Sequence, residues 1–124
     1  MRQRAGDRCE YCRLPQAYTT LPHEVDHIRS LKHRGPTTPG NLCWACARCN
    51  SYKGTDVSAY DPVSGELVPL FNPRVEVWPD HFEWNGTTLV GKTGTGRATI
   101  ELLQINLSER LGHRRLLAQA GISL

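Results

Sequence analysis

Two pairs of cysteines and a handful of polar residues between and beside them are where this chain can do chemistry. Cys9-Glu10-Tyr11-Cys12 and Cys46-Ala47-Arg48-Cys49 are Cys-x-x-Cys pairs separated by 33 residues. A tight turn lets each pair present two thiolates to one ion, and two pairs complete the tetrahedral sulfur shell that suits Zn²⁺. A redox Cys-x-x-Cys is the competing reading of the first pair. It calls for a strand before it and a helix after it, and Arg13-Leu14-Pro15 opens a helix poorly. The matching second pair favours zinc held by Cys9, Cys12, Cys46 and Cys49. A closed four-thiolate shell leaves no position for substrate, so any catalysis falls to Asp26, His27, Asn41 and Asn50. Cys43, the odd thiol, reads as a small buried group in a strand rather than as a ligand.

Taken in order, these residues from Cys9 to Gly54 resemble the HNH endonucleases, the ββα-metal or His-Me finger nucleases, in their four-cysteine zinc form. The resemblance covers somewhat under half of the chain. It implies an α+β fold in which strand, long loop, strand and helix are clamped by a structural zinc. It also implies a metal-dependent DNA endonuclease that hydrolyses phosphodiester bonds to 3′-hydroxyl and 5′-phosphate ends. His27 suits the general base, because a neutral imidazole titrates near physiological pH. By the same resemblance Asp26 and Asn50 offer oxygen ligands to a catalytic divalent cation, Mg²⁺ or Mn²⁺. Asn41 corresponds to the family's middle asparagine, which ties the loop to the strands and so orients the base. Many members carry histidine where this chain has Asn50, a neutral and weaker ligand, so low affinity for the cation is expected. Successive strand residues face opposite sides, so Asp26 and His27 reach one phosphate only if the strand ends or distorts there. Arg29-Ser30 begins a loop and permits that.

The partner implied by charge is a polyanion. Residues 1–54 carry nine Lys/Arg against four Asp/Glu, and residues 55–124 carry six against eight, so the half with the cysteines is basic at +5 while the other is −2. Arg29, Lys32, Arg34, Arg48 and Lys53 are the candidate contacts to a DNA backbone, expected to be double-stranded. Such contacts position a duplex without reading its sequence, and no helix carries several base-reading side chains. One alternative from another class is a non-catalytic, zinc-stabilised nucleic-acid-binding module. It would keep the cysteines and the charge but would have no use for Asp26-His27, Asn41 and Asn50 together. A remote alternative is a metalloprotease, since His23-Glu24-Val25-Asp26-His27 spells H-E-x-x-H. That chemistry needs both histidines on one face of a helix, and here a Pro- and Gly-rich loop follows. His23 and His33 then read as exposed loop histidines.

Elements to position these groups follow from the pattern. His23 to Ile28 reads as a strand, Arg29 to Gly40 as a polar loop, Asn41 to Ala45 as the returning strand, and Asn50 as the start of a helix. Trp44 and Tyr52 read as core. Residues 1–56 form the nuclease core and 57–124 an extension packed on it through Leu70, Phe71, Trp78, Phe82 and Trp84. In the extension, residues 55–73 read as loop and turn, and Asn85-Gly86 marks a hairpin between Phe82-Glu83-Trp84 and Thr87-Thr88-Leu89-Val90. Gly91 to Gly96 reads as a loop without Walker spacing. A helix is expected from about Arg97 to Asn106, and another after Ser108 as N-cap, stopping at Gly121. Arg74 and His81 are weaker candidates to line a DNA groove. No signal peptide or membrane-spanning stretch is visible, which together with reduced thiolates leads to a cytoplasmic expectation. One site per chain implies nicking, with double-strand cutting left to a dimer or to two separate events.

Overall fold

The element that organises the structure is a short antiparallel hairpin with a helix laid across one face. The computed structural model describes residues 2–124. Strands β1 (Glu24–His27) and β2 (Leu42–Ala45) pair in the register Glu24↔Ala45, Val25↔Trp44, Asp26↔Cys43 and His27↔Leu42. Helix α1 (Ala47–Lys53) follows at once and packs on β1. It starts a full turn earlier than the expected Asn50, because the second cysteine pair is itself the first helical turn: Cys46 is the N-cap, and its Sγ accepts from the Cys49 N–H. Asn50 therefore sits in the body of the helix, not at its N-terminus.

Beyond α1 come two more hairpins and three helices. The stretch expected to be loop contains β3 (Ser58–Tyr60) and β4 (Leu67–Pro69), paired antiparallel. Each has three residues and Pro69 ends the second, so neither shows an alternating pattern long enough to register as a strand. The short helix α2 (Trp78–His81) leads into β5 (Phe82–Asn85) and β6 (Thr88–Gly91). Asn85 pairs with Thr88, so the turn residues are Gly86 and Thr87, one place later than the Asn-Gly signal suggested; Gly86 takes φ +61°. Helix α3 (Gly94–Leu102) begins inside the glycine-rich stretch, capped by Thr93, whose hydroxyl accepts from the Gly96 N–H. Helix α4 (Ser108–Gln119) has Leu107 rather than Ser108 as its N-cap, without a side-chain cap. It stops at Gly121, which adopts φ +79°.

One core runs through both halves. Tyr11, the four paired cysteines, Cys43 and Ala45 from the finger cluster with Phe71, Phe82, Leu89, Leu103 and Ile105 from the extension. Trp78 and Trp84 pack against that cluster from its edge, and the Trp78 indole N–H donates to the Tyr11 carbonyl at 2.9 Å. The structure is thus α+β, three two-stranded hairpins with four α-helices among the described residues. No helix among them is long and apolar enough to cross a membrane.

Candidate active site and metal centre

The two cysteine turns face each other with their sulfurs inward. The Sγ atoms of Cys9, Cys12, Cys46 and Cys49 all lie within 4.8 Å of one another, every one buried, and Cys12 and Cys46 stand 3.7 Å apart. Tetrahedral zinc with Zn–S bonds of about 2.3 Å sets its sulfurs roughly 3.8 Å apart, so this donor set fits the ion. Both turns have the same local geometry: the Cys12 N–H points at Cys9 Sγ and the Cys49 N–H at Cys46 Sγ, each at 3.4 Å. Among the described residues this is the only grouping of three or more His, Cys, Asp or Glu side chains placed to share an ion. Burial pushes the Cys9 and Cys49 thiols well up, whereas hydrogen bonds from Cys46, Cys49 and Cys9 hold that of Cys12 well down. Four thiolates at this distance require cationic charge to coexist.

Part of that charge comes from a residue the sequence did not single out. Arg110, buried on α4, sends its guanidinium to Cys49 Sγ at 3.1 Å and toward Cys46 Sγ at 3.8 Å, while donating to the Leu103 carbonyl at 2.8 Å. Burial alone would lower the basicity of Arg110, but the sulfurs of Cys49, Cys12 and Cys46 outweigh it and raise it. Cys43 lies outside the cluster and is fully buried, its thiol pushed up to about 12 chiefly by burial.

On the face of β1 turned toward α1, Asp26 is buried among three partners. Its carboxylate accepts from the Tyr11 hydroxyl at 2.9 Å and from the Cys43 thiol at 3.5 Å, and it pairs with the Lys53 ammonium at 3.2 Å. Lys53, only 1% exposed, also donates to the His27 carbonyl at 3.1 Å. This corrects the reading of Lys53 as a surface contact to DNA: its ammonium is inside the protein because Asp26 is. Asn50, one turn earlier on α1, donates to Glu24 at 2.6 Å rather than meeting Asp26. Asp26 and Asn50 thus have the right donor chemistry for a hard cation and sit on facing elements. In this arrangement they do not fit one, since Lys53 holds the carboxylate.

Regular pairing persists to His27↔Leu42, so the strand does not distort and His27 projects from the face opposite Asp26. Its Nε2 lies 2.9 Å from the Thr37 hydroxyl across the loop. Asn41 fastens that loop: its Oδ1 accepts from the Arg29 N–H at 2.9 Å, and its Nδ2 donates to the carbonyls of Arg29 at 2.9 Å and Pro36 at 2.8 Å. Gly35 passes so close beneath that a Cβ there would stand 1.7 Å from the Arg29 carbonyl oxygen. Arg29, Lys32 and Arg34 are exposed on the loop, and Arg48 forms a surface pair with Glu109 at 2.7 Å.

Several neighbours differ from expectation. His23 is buried, not exposed, its Nε2 2.8 Å from the Leu14 carbonyl, and the residues Glu24 to His27 form a strand. The H-E-x-x-H reading fails on that strand. His33 is exposed, Trp44 is half-buried against His23, and Tyr52 is exposed rather than core. Arg74 is ion-paired with Glu10, and His81 sits between Glu76 and Thr93, so neither faces a groove.

Residues 9–56 match the sequence model of the HNH endonuclease family. A curated relative is the Septu protein PtuB of Bacillus thuringiensis, 29% identical over 116 residues, which cover 91% of this chain and 42% of that protein. The chain therefore spans less than half the length of that relative. No solved structure matches.

Proposed function

We propose that this chain hydrolyses phosphodiester bonds in duplex DNA, with His27 as the general base. The observation that supports this most is His27 at the end of β1, beside an exposed basic loop that Asn41 ties down through three hydrogen bonds. An imidazole whose Nε2 touches only a hydroxyl is free to take a proton from water on leaving Thr37. Arg29, Lys32, Arg34 and Arg48 hold the phosphate backbone; the Arg48–Glu109 pair is exposed and worth little, so DNA outcompetes it. With its phosphorus above the end of the strand, the phosphate is attacked by the water that His27 deprotonates. The 3′-oxygen leaves, giving 3′-hydroxyl and 5′-phosphate ends. The Mg²⁺ or Mn²⁺ expected at Asp26 and Asn50 does not fit there, since Lys53 holds the carboxylate and Asp26 lies on the strand face opposite His27, so neutralisation of the phosphate charge falls to Arg29, Lys32 and Arg34. The four cysteines hold zinc in a structural role and take no part in the chemistry.

The specific observation on the side of a non-catalytic nucleic-acid-binding module is the same Lys53–Asp26 pair, which masks the cation ligand. Supercoiled-plasmid relaxation separates the two. Zinc-loaded protein is given Mg²⁺, Mn²⁺ or Ni²⁺ beside His27→Ala, which should lose about 10²–10⁴-fold in rate. No cutting with any ion, but equal salt-sensitive DNA retention by both proteins, establishes the binding module instead.

A further inference from the structure

We propose that Leu31 is a wedge for duplex DNA: seated in the minor groove by the cations around it, it parts a base step beside the phosphate that His27 serves. This contact rests on the nucleic-acid reading of the loop, and charge alone does not make it. Leu31 is 66% exposed and opens the 3₁₀ turn Leu31–His33, four residues beyond His27. Arg29, Lys32, His33 and Arg34 flank it in the chain, and no Asp or Glu occurs from His27 to Thr55. Ile28 packs against the core from the start of the same loop. The loop thus has its apolar anchor already, and Leu31 is a second apolar group that the fold leaves outside. Scattered exposed leucines are ordinary on a protein surface. This one stands among cations beside a candidate base, where a bound duplex must touch it.

The turn that carries Leu31 is closed on itself. The Ser30 carbonyl accepts from the His33 N–H at 3.0 Å and the Gly35 N–H at 2.8 Å, and the Leu31 carbonyl accepts from the Arg34 N–H at 3.0 Å. Arg34 holds φ +62°, a region uncommon for residues other than glycine. Asn41 ties the loop down through Arg29 and Pro36. A backbone fixed in this way has little freedom left to lose on contact, which is the condition for insertion to gain affinity. The minor groove is about 6 Å wide, room for one side chain, with phosphates along both rims. Cations on either side of Leu31 suit those rims. An apolar side chain entering between base pairs partly unstacks the step and kinks the duplex.

The test compares the full-length, zinc-loaded native chain with Leu31→Ala and Leu31→Met; the side chain is exposed, so neither substitution opens a cavity. The probe is a short DNA duplex carrying 2-aminopurine, whose fluorescence rises when its stack opens. The native chain and Leu31→Met should raise it on binding. Leu31→Ala should leave it flat and bind at least about tenfold more weakly, since opening a step is the costly part of the contact. All three should elute alike from heparin, a polyanion without bases. Equal duplex binding and equal fluorescence for Leu31→Ala overturn the wedge. So does a loss on heparin as large as the loss on DNA, because the substitution has then altered the loop and not a contact to bases. In nicking assays Leu31→Ala should be slow on intact duplex and near native on a duplex with an unpaired bulge, where the stack is already open. His27-dependent nicking of intact duplex that Leu31→Ala leaves unchanged removes the wedge and keeps the nuclease. Leu31-dependent fluorescence without nicking by any ion keeps the wedge and removes the nuclease. A native chain that does not bind duplex DNA overturns both.

Discussion

Between residues 9 and 54 the buried non-polar side chains are mainly thiols: Cys9, Cys12, Cys43, Cys46 and Cys49, with Tyr11 and Ala45. Between residues 70 and 117 they are Leu70, Phe71, Phe82, Leu89, Ala98, Leu103, Ile105 and Leu117. The second set gains stability from hydrocarbon removed from water, about 1.5–3 kcal/mol for each large side chain. The first set has little hydrocarbon to bury, and its sulfurs repel one another if ionised. The contrast teaches where a metal would be needed: ligation by the four cysteines would hold the finger, ordinary packing holds the extension, and Arg110 joins the two by laying a cation from α4 on the sulfurs of the finger.

The sharpest way to break the comparison is to take the metal away. Cys46→Ser, or a strong chelator, should melt the finger, since zinc-sized contributions in small domains run to about 10–16 kcal/mol. The loss should spread to the extension because the core is continuous. Metal analysis should find one zinc per chain in the native protein and none in a variant that has lost its far-UV and near-UV signals. A Cys46→Ser protein as stable as the native chain would show that hydrocarbon packing alone carries the fold.

A smaller effect tests the bridge. Arg110→Met keeps length and apolar bulk but removes the guanidinium that meets Cys49 at 3.1 Å. Groups that support metal ligands typically govern affinity by about 10–100-fold. Zinc should therefore transfer to a competing chelator faster and at lower chelator concentration than in the native protein. Unchanged zinc retention would reduce Arg110 to a link between helices, held by its bonds to the Leu103 and Gln104 carbonyls.

These two regions were also unequally readable in the sequence. The cysteine turns, the Asp26-His27 pair, Asn41 and the order of strand, loop, strand and helix could be read because ligand spacing is local and each residue type has few other uses. What escaped was tertiary. Lys53 looks like any surface lysine until α1 is laid on β1 and Asp26 turns out to face it. Arg110 is one of several arginines on an amphipathic helix, and only the fold shows which one meets sulfur. The α1 start was misplaced because a Cys-x-x-Cys turn and a first helical turn have the same hydrogen bond, an N–H to the side chain three residues back. In the extension the hairpin of β5 and β6 carried a turn signal, while β3 and β4, three residues each, carried none.

The smallest expected effect concerns how each region holds a buried carboxylate. Asp26 depends on one ammonium at the end of a helix. Asp61, between β3 and β4, is held by the Arg97 guanidinium through two bonds at 2.9 and 2.8 Å, by the Val63 N–H at 3.0 Å and by the Ser64 hydroxyl at 2.8 Å. Hydrogen bonds from Arg97 and then from the Val63 backbone keep the Asp61 carboxyl well below the usual carboxylate range. The folded-state value lies under the unfolded one, so the stabilisation is fully present above the unfolded range, near pH 4. It drains away as pH falls through the folded value. Asp61→Asn should therefore lower the melting temperature at neutral pH, and the gap to the native protein should narrow steadily on acidification below about pH 4. Thermal melts across that range read the difference directly. A gap that does not change with pH would mean that Asp61 acts through the shape of its turn and not through its charge. The pair with Arg97 would then be no firmer an anchor than the one Lys53 gives Asp26.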